Sequence, residues 1–267
     1  MDILKRSIAP ITDEAWKEID SQARRVLKPL LSARRLVDVE GPRGWDYAAV
    51  PLGRIEVGGK KETGIVDYGV HQVLPLVEAR IYFDLEIWEL DNIARGAQDV
   101  DFAPLEKAAH EIARFEEEAV YGGFESSGIV GLGGSSHHKP IALTNEPEKL
   151  LASVSQGITT LLGASVEGPY GLAMSPEIWR HFSGYVRGYP LRNHLEKLLG
   201  GPLVLGQFID GAYLLSLRGG DMQLVIGQDL SIGYLSHDSR TVHLYFTESF
   251  TFRVLDPAVI VRFDWKK

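Results

Sequence analysis

The chain contains no cysteine. Disulfides and thiolate metal ligands are therefore excluded, and a reducing compartment suits it. Long apolar runs are missing too: no window approaches ~18 uninterrupted apolar residues, so no membrane-crossing helix is expected. The opening MDILKRSIAP offers only Ile3 and Leu4 before Lys5 and Arg6, too little for the apolar core of a signal peptide. Nor is there an excess of positive charge. With 28 Lys+Arg against 36 Asp+Glu the net charge is −8, which argues against a general nucleic-acid binder. A soluble, cytoplasmic protein is expected.

The familiar catalytic signatures are absent as well: G-x-x-x-x-G-K-[ST], G-x-S-x-G, H-E-x-x-H and the EF-hand loop all fail to occur. The glycines of GIVGLGG (128–134) follow a helix pattern rather than a strand, so a hinge is favoured over a phosphate cradle. His137 and His138 are adjacent and point apart on an extended segment, with no acidic partner at fitting spacing, so no metal site is assigned. Glu116, Glu117 and Glu118 are consecutive and cannot share one helical face, which favours a solvated patch. Glu248, an acid amid an apolar strand face, is read either as a perturbed acid or, preferably, as the partner of an arginine. No catalytic residue is assigned.

What is present is length and pattern. A chain of 267 residues, 45% hydrophobic, buries roughly 75% of its unfolded surface without staples. Trp16, Ile19, Ala23, Leu27 and Leu31 recur at helical spacing over 12–32, capped by Thr12, with a kink or break expected near 25–28 because Pro29 removes a hydrogen bond. Residues 77–88 alternate strictly, predicting a long half-buried strand whose expected partner is the 54–57 segment, joined through GGKKETG. Further helices are predicted over 104–121, after Pro147, after Ser175 and over 191–199. The 126–140 stretch reads as a flexible connector, and a strand is predicted over 242–254 followed by AVIVRF. Helices and antiparallel strands in separate blocks make an α+β protein. Residues 1–36 hold eight basic against five acidic side chains, either a solvated helix face or a surface that meets a partner. VEGPRG (39–44) returns as VEGPYG (166–171) with unrelated flanks, so it is one kind of bend used twice rather than a duplicated module.

Five blocks, in order and almost end to end, carry a resemblance: LKRSIAPIT (4–12), VDVEGPRGWDYAAVPLG (37–53), WELDNIARG (88–96), GQDLSIGY (227–234) and FTESFTFRV (246–254). They resemble the encapsulins, bacterial and archaeal shell proteins with the fold of tailed-phage capsid proteins. The resemblance implies a homo-oligomeric, icosahedral cytoplasmic nanocompartment, of the smallest class by chain length. It would enclose a cargo protein, such as a ferritin-like protein or a dye-decolourising peroxidase, through a short C-terminal peptide. Carried onto this chain, 1–47 holds the N-terminal helix and the start of the peripheral (P) domain, and 48–82 the extended (E) loop. Residues 83–129 hold the P domain with its spine helix, 130–220 the axial (A) domain, and 221–267 the return strands of the P domain.

The same resemblance implies a cargo-peptide groove of Leu27, Leu31, Arg34, Asp38, Asp229, Ile232 and Tyr234, with apolar side chains gripping aliphatic ones and Arg34 and Asp38 orienting the peptide. The alternative is that the leucines face the core and Arg34 pairs with Asp38. A pore lined by His181, Tyr185, Arg187 and Tyr189 is implied as well, with the arginine either facing the opening or folded back. Some encapsulins hold a flavin against the Trp of the WELDN block, here Trp88, with Arg80 expected on the same strand face. Two other functions compete: a viral or prophage capsid protein packaging nucleic acid, and a soluble α+β hydrolase.

Overall fold

The computed structural model describes residues 3–58, 66–144, 146–183 and 191–266. Helix α1 (Asp13–Leu30) starts where Thr12 Oγ1 accepts a hydrogen bond from the Ala15 N–H at 3.2 Å, with Asp13 and Glu14 in the first turn. It runs unbroken through Pro29, so the break expected near 25–28 does not occur. Pro29 stands one residue from the helix end, so it forfeits only the single bond to the Arg25 carbonyl in the last turn. A 3₁₀ turn (Ala33–Arg35) leads to strand β1 (Asp38–Glu40).

Among the described residues, strands β2 (Ala49–Val57) and β3 (Gly69–Pro75) pair only with each other, from Ala49↔Pro75 to Val57↔Gly69. Strand β4 (Val77–Glu86) was expected to pair with 54–57. It pairs instead with β11 (Thr241–Val254), antiparallel from Phe250↔Val77 to Thr241↔Glu86. It also ends before its alternation does: Ile87–Ala94 is helix α2, so Trp88 lies on a helix rather than on the strand. Helix α3 (Ala103–Tyr121) is the long central helix, followed by the short α4 (Gly131–Ser135).

The stretch between them is packed rather than a loose connector. Ile129 and Leu132 are buried, and Gly123 and Gly131 sit at φ +100° and +74° with their backbones pressed together. A Cβ on Gly131 would lie 2.4 Å from the Gly123 nitrogen, so glycine is required there.

The remainder comprises β5 (Ile141–Thr144), α5 (Pro147–Gly163), β6 (Tyr170–Met174), α6 (Pro176–Ser183), α7 (Leu191–Leu199), β7 (Leu203–Leu205) and β8 (Ala212–Ser216). After these come β9 (Met222–Ile226), β10 (Ser231–His237), β11 and β12 (Ile260–Lys266). One sheet runs β1-β9-β11-β10 with β4 on the other edge of β11; a second runs β5-β12-β8-β6-β7. Strand β12 departs from the expected common return of 221–267, because it pairs with β8 and β5 in the second sheet. The two VEGP bends do share a backbone form: Gly41–Pro42 and Gly168–Pro169 are both cis.

Two apolar cores result. One joins α1 (Ala15, Ile19, Ala23), the first half of α3 (Leu105, Ala109, Ile112) and one face of the first sheet (Leu85, Leu244, Phe246). The other joins the end of α3, the helices after it and the second sheet. Fully burying a side chain such as Ile19 or Phe246 contributes ~1.5–3 kcal/mol, so α1 is fastened chiefly by its apolar stripe. The even-numbered face of β11 runs from one core into the other, so Glu248 is buried between Phe246 and Phe250.

Candidate functional site

The end of α1 is tied to α3 and β11 by charge. Arg34 Nε donates to Glu116 Oε1 and Oε2 at 2.9 and 3.0 Å, and Nη2 donates to Glu116 as well. Nη1 reaches Asp229 Oδ1 at 2.8 Å, and Nη2 reaches Glu248 Oε2 at 3.3 Å. Burial opposes the charge on Arg34, but hydrogen bonding and the negative charge of Glu116, Asp229 and Glu248 outweigh it and hold the guanidinium protonated above its ordinary range. Beside this cluster, Glu117 Oε1 accepts from the Ala33 N–H at 2.8 Å and its Oε2 accepts from Ser32 Oγ, which also lies 3.0 Å from the Tyr121 hydroxyl.

Glu116 and Glu117 are thus 0% exposed, and the expected solvated acidic patch is corrected: α3 lies under both the 3₁₀ turn and β11, so only Glu118 reaches solvent. Burial pushes the Glu117 carboxyl up to about 8, against the lowering effect of its Ser32 and Ala33 hydrogen bonds. Glu248 is raised well above its ordinary value by burial and by neighbouring Glu116, despite Arg34. Burial also raises Tyr121. The pairing of Glu248 with an arginine, preferred from sequence, is observed.

The expected groove residues divide. Leu27, Leu31, Ile232 and Tyr234 are 8%, 8%, 3% and 7% exposed and belong to one core; of the four, only Leu31 also lines the surface hollow described below. Asp38 is corrected. It does not meet Arg34; its Oδ2 accepts from the Gly220 N–H at 2.7 Å, across a separate polar hollow shared with Arg35 and Asp221. Arg34 is likewise held by three carboxylates and is not free to orient a peptide. The surface hollow at the end of α1 is lined by Lys28, Pro29, Leu31, Arg34 and Arg35. Lys28, Pro29 and Arg35 were missed, although their spacing around Leu31 at a helix end was the available signal.

His181, exposed on α6, has its ring 5.2 Å from that of Trp265, while Tyr185, Arg187 and Tyr189 lie outside the described residues. The two residues expected beside a flavin lie on different elements. Trp88 is 71% exposed on α2, whereas Arg80 on β4 is paired with Glu78 and lies over Trp45 and Tyr245 at 5.5 and 5.2 Å. The shared strand face on which that pairing depended is absent. His138 Nε2 lies 2.9 Å from the Ala258 carbonyl, to which it donates as a structural contact.

Outside the two cores, the β2–β3 ribbon exposes apolar side chains: Val57 75%, Val70 60%, Ile55 54% and Val73 50%. Directly opposed residues share a face, and Val70 opposes Glu56, so it lies on the other side from Ile55 and Val57. Both faces of the ribbon therefore carry apolar surface.

A projecting two-faced ribbon, a long central helix and two separate sheets make the fold of a capsid-type shell subunit, and known structures share it. The virus-like particle from Pyrococcus furiosus matches at TM-score 0.67 and 19% identity, covering 94% of this chain and 99% of that one. The capsid of Myoviridae Phage XM1 matches at TM-score 0.58 and 13% identity, covering 89% and 92%. The family described as "Encapsulating protein for peroxidase" matches residues 1–251. A type 1 encapsulin shell protein of Rhodococcus erythropolis is 40% identical over 262 residues, 98% of this chain and 99% of its own length. The chain belongs to the encapsulin shell-protein family.

Proposed function

We propose that this chain is the repeating subunit of a closed icosahedral nanocompartment, and that it encloses a cargo protein rather than catalysing a reaction. The observation that carries the reading is the β2–β3 ribbon. It forms a sheet of its own with apolar residues on both faces, and such a ribbon is marginal in water unless something covers it. A neighbouring copy is the natural cover, because identical subunits repeat the same contact and close around rotational axes. Membership in a shell-protein family supports this cover over any other.

The cargo reading rests on the hollow at the end of α1, where Pro29 and Leu31 offer an apolar floor and Lys28 and Arg35 supply charge at its rim. A short extended peptide suits such a hollow. A peroxidase is the favoured cargo, since the matching family is described by that role. Electron microscopy of the purified protein tests the shell, and mass spectrometry of co-purifying proteins tests the cargo. Hollow spheres carrying a peroxidase are expected; a discrete monomer or dimer at micromolar concentration refutes the shell. Absorbance at 260 against 280 nm separates this reading from a nucleic-acid-packaging capsid.

A further inference from the structure

Helix α1 turns toward solvent a face on which cations stand in single file. Lys17, Arg24 and Lys28 are all exposed and, at 3.6 residues per turn, fall within about 40° of one another around the helix. Arg24 and Lys28 are ~6 Å apart along the axis, and Lys17 stands ~10 Å further back. Among the described residues, none of the three meets a carboxylate at ion-pair distance. The acid one turn before Arg24 is Asp20, and Arg6 already holds it at 2.8 Å. No acid occurs at all from Ser21 to Val37, although the whole chain carries a net charge of −8.

The file runs into the hollow at the end of α1. Lys28 lines that hollow together with Arg35, which also lacks a carboxylate partner among the described residues, and Pro29 and Leu31 give it apolar surface. The helix C-terminus accounts for one cation only: its dipole amounts to about half a negative charge and acts over the last turn, where Lys28 stands. Lys17 and Arg24 lie upstream of that turn. Lys28 and Arg35 together outweigh the half charge, so an anion is attracted even at this end of the helix.

We propose that this face and the hollow together bind an extended acidic peptide, whose carboxylates meet Arg24 and Lys28 while its aliphatic residues enter the hollow over Pro29 and Leu31. The spacing supports it: side chains on one side of an extended peptide recur every ~6.6 Å, so acids two residues apart match the ~6 Å between Arg24 and Lys28. A nucleic acid fits less well, because a single file of cations on an acidic chain is a small basic footprint and the apolar floor gives a phosphate backbone nothing to bind. The inference rests on the reading of the hollow as a peptide dock and adds to it the charge of the peptide.

Co-expression of the full chain with a fluorescent carrier protein tests this, the carrier ending in a short tag of leucines flanked by Glu-Ser-Glu, Gln-Ser-Gln or Lys-Ser-Lys on either side. Carrier per subunit in purified particles is the readout, and the untagged carrier sets chance entrapment. The Glu tag should load at least about threefold above the Gln tag, the effect of two exposed ion pairs, and the Lys tag below both. Arg24→Gln with Lys28→Gln should erase the advantage of Glu while leaving Gln-tag loading unchanged, since neither side chain has a partner to lose. Glu and Gln tags loading equally, above the untagged carrier, overturn the acidic preference and leave the dock standing. No tag loading above the untagged carrier overturns the dock and the preference together. Nucleic acid that co-purifies with wild-type particles, excludes the Glu tag and disappears from the double variant assigns the face to phosphate and overturns the peptide. Should the double variant fail to assemble, the wild-type ratio of Glu to Gln loading decides alone.

Discussion

Placing aspartate at Ile55 and Val70 together should abolish shell assembly while leaving the subunit folded. These residues lie on opposite faces of the β2–β3 ribbon and are 54% and 60% exposed in the subunit. With Val57 and Val73 they leave uncovered the equivalent of between two and two and a half whole apolar side chains. At ~1.5–3 kcal/mol for each side chain fully buried, a neighbour that covers the ribbon gains ~4–7 kcal/mol per subunit from these four alone. Two aspartates remove roughly half of that, ~2–3 kcal/mol, and add the cost of burying charge without a partner. Since about 1.4 kcal/mol is tenfold in an equilibrium, each subunit's contact weakens at least ~30-fold, and the loss recurs at every subunit around the shell. Sedimentation velocity should show free subunits or small oligomers, with far-UV circular dichroism matching the wild type. Closed particles forming at the wild-type concentration would refute the view that covered ribbons hold the shell together.

Other outcomes are expected from the core. Arg34→Met leaves Glu116 and Glu248 without their cation and should cost ~3–5 kcal/mol, against under ~1 kcal/mol for a surface pair; thermal unfolding of the particles distinguishes the two. Ile19→Ala, at a fully buried position of α1, should cost ~2–5 kcal/mol by the same assay. Glu117 has its carboxyl raised to about 8, so its contribution to stability is greatest below the ordinary glutamate range and declines up to about pH 8. The decline is ~1.4 kcal/mol per pH unit; Glu117→Gln should flatten it in unfolding measured between pH 5 and pH 8, and an unaltered slope would exclude Glu117 as its source.

Much of the architecture was legible because local rules sufficed. Helix α3 follows its apolar stripe from Leu105 to Ala119, and α7 starts and stops at the predicted residues. The β4 alternation was visible, but its true partner was not: β11 lies more than 150 residues away, whereas the segment chosen from sequence was nearby. The site was less legible than the fold. Leu31 and Arg34 were placed at the hollow, but Asp38 was not part of it, and Glu116 was taken for a surface residue because helical spacing says nothing about what covers a face.

The sequence by itself determined the class of molecule: no cysteine, no catalytic spacing, and blocks in the order of a shell-protein family. Only the tertiary structure decided where charge is buried. Arg34 meets Glu116, Asp229 and Glu248 across separations of 82, 195 and 214 residues, distances at which periodicity and propensity carry no information. Their meeting follows from stacking α1's end on α3 and running β11 from one core into the other, and the burial that results raises the Glu248 carboxyl above its ordinary value.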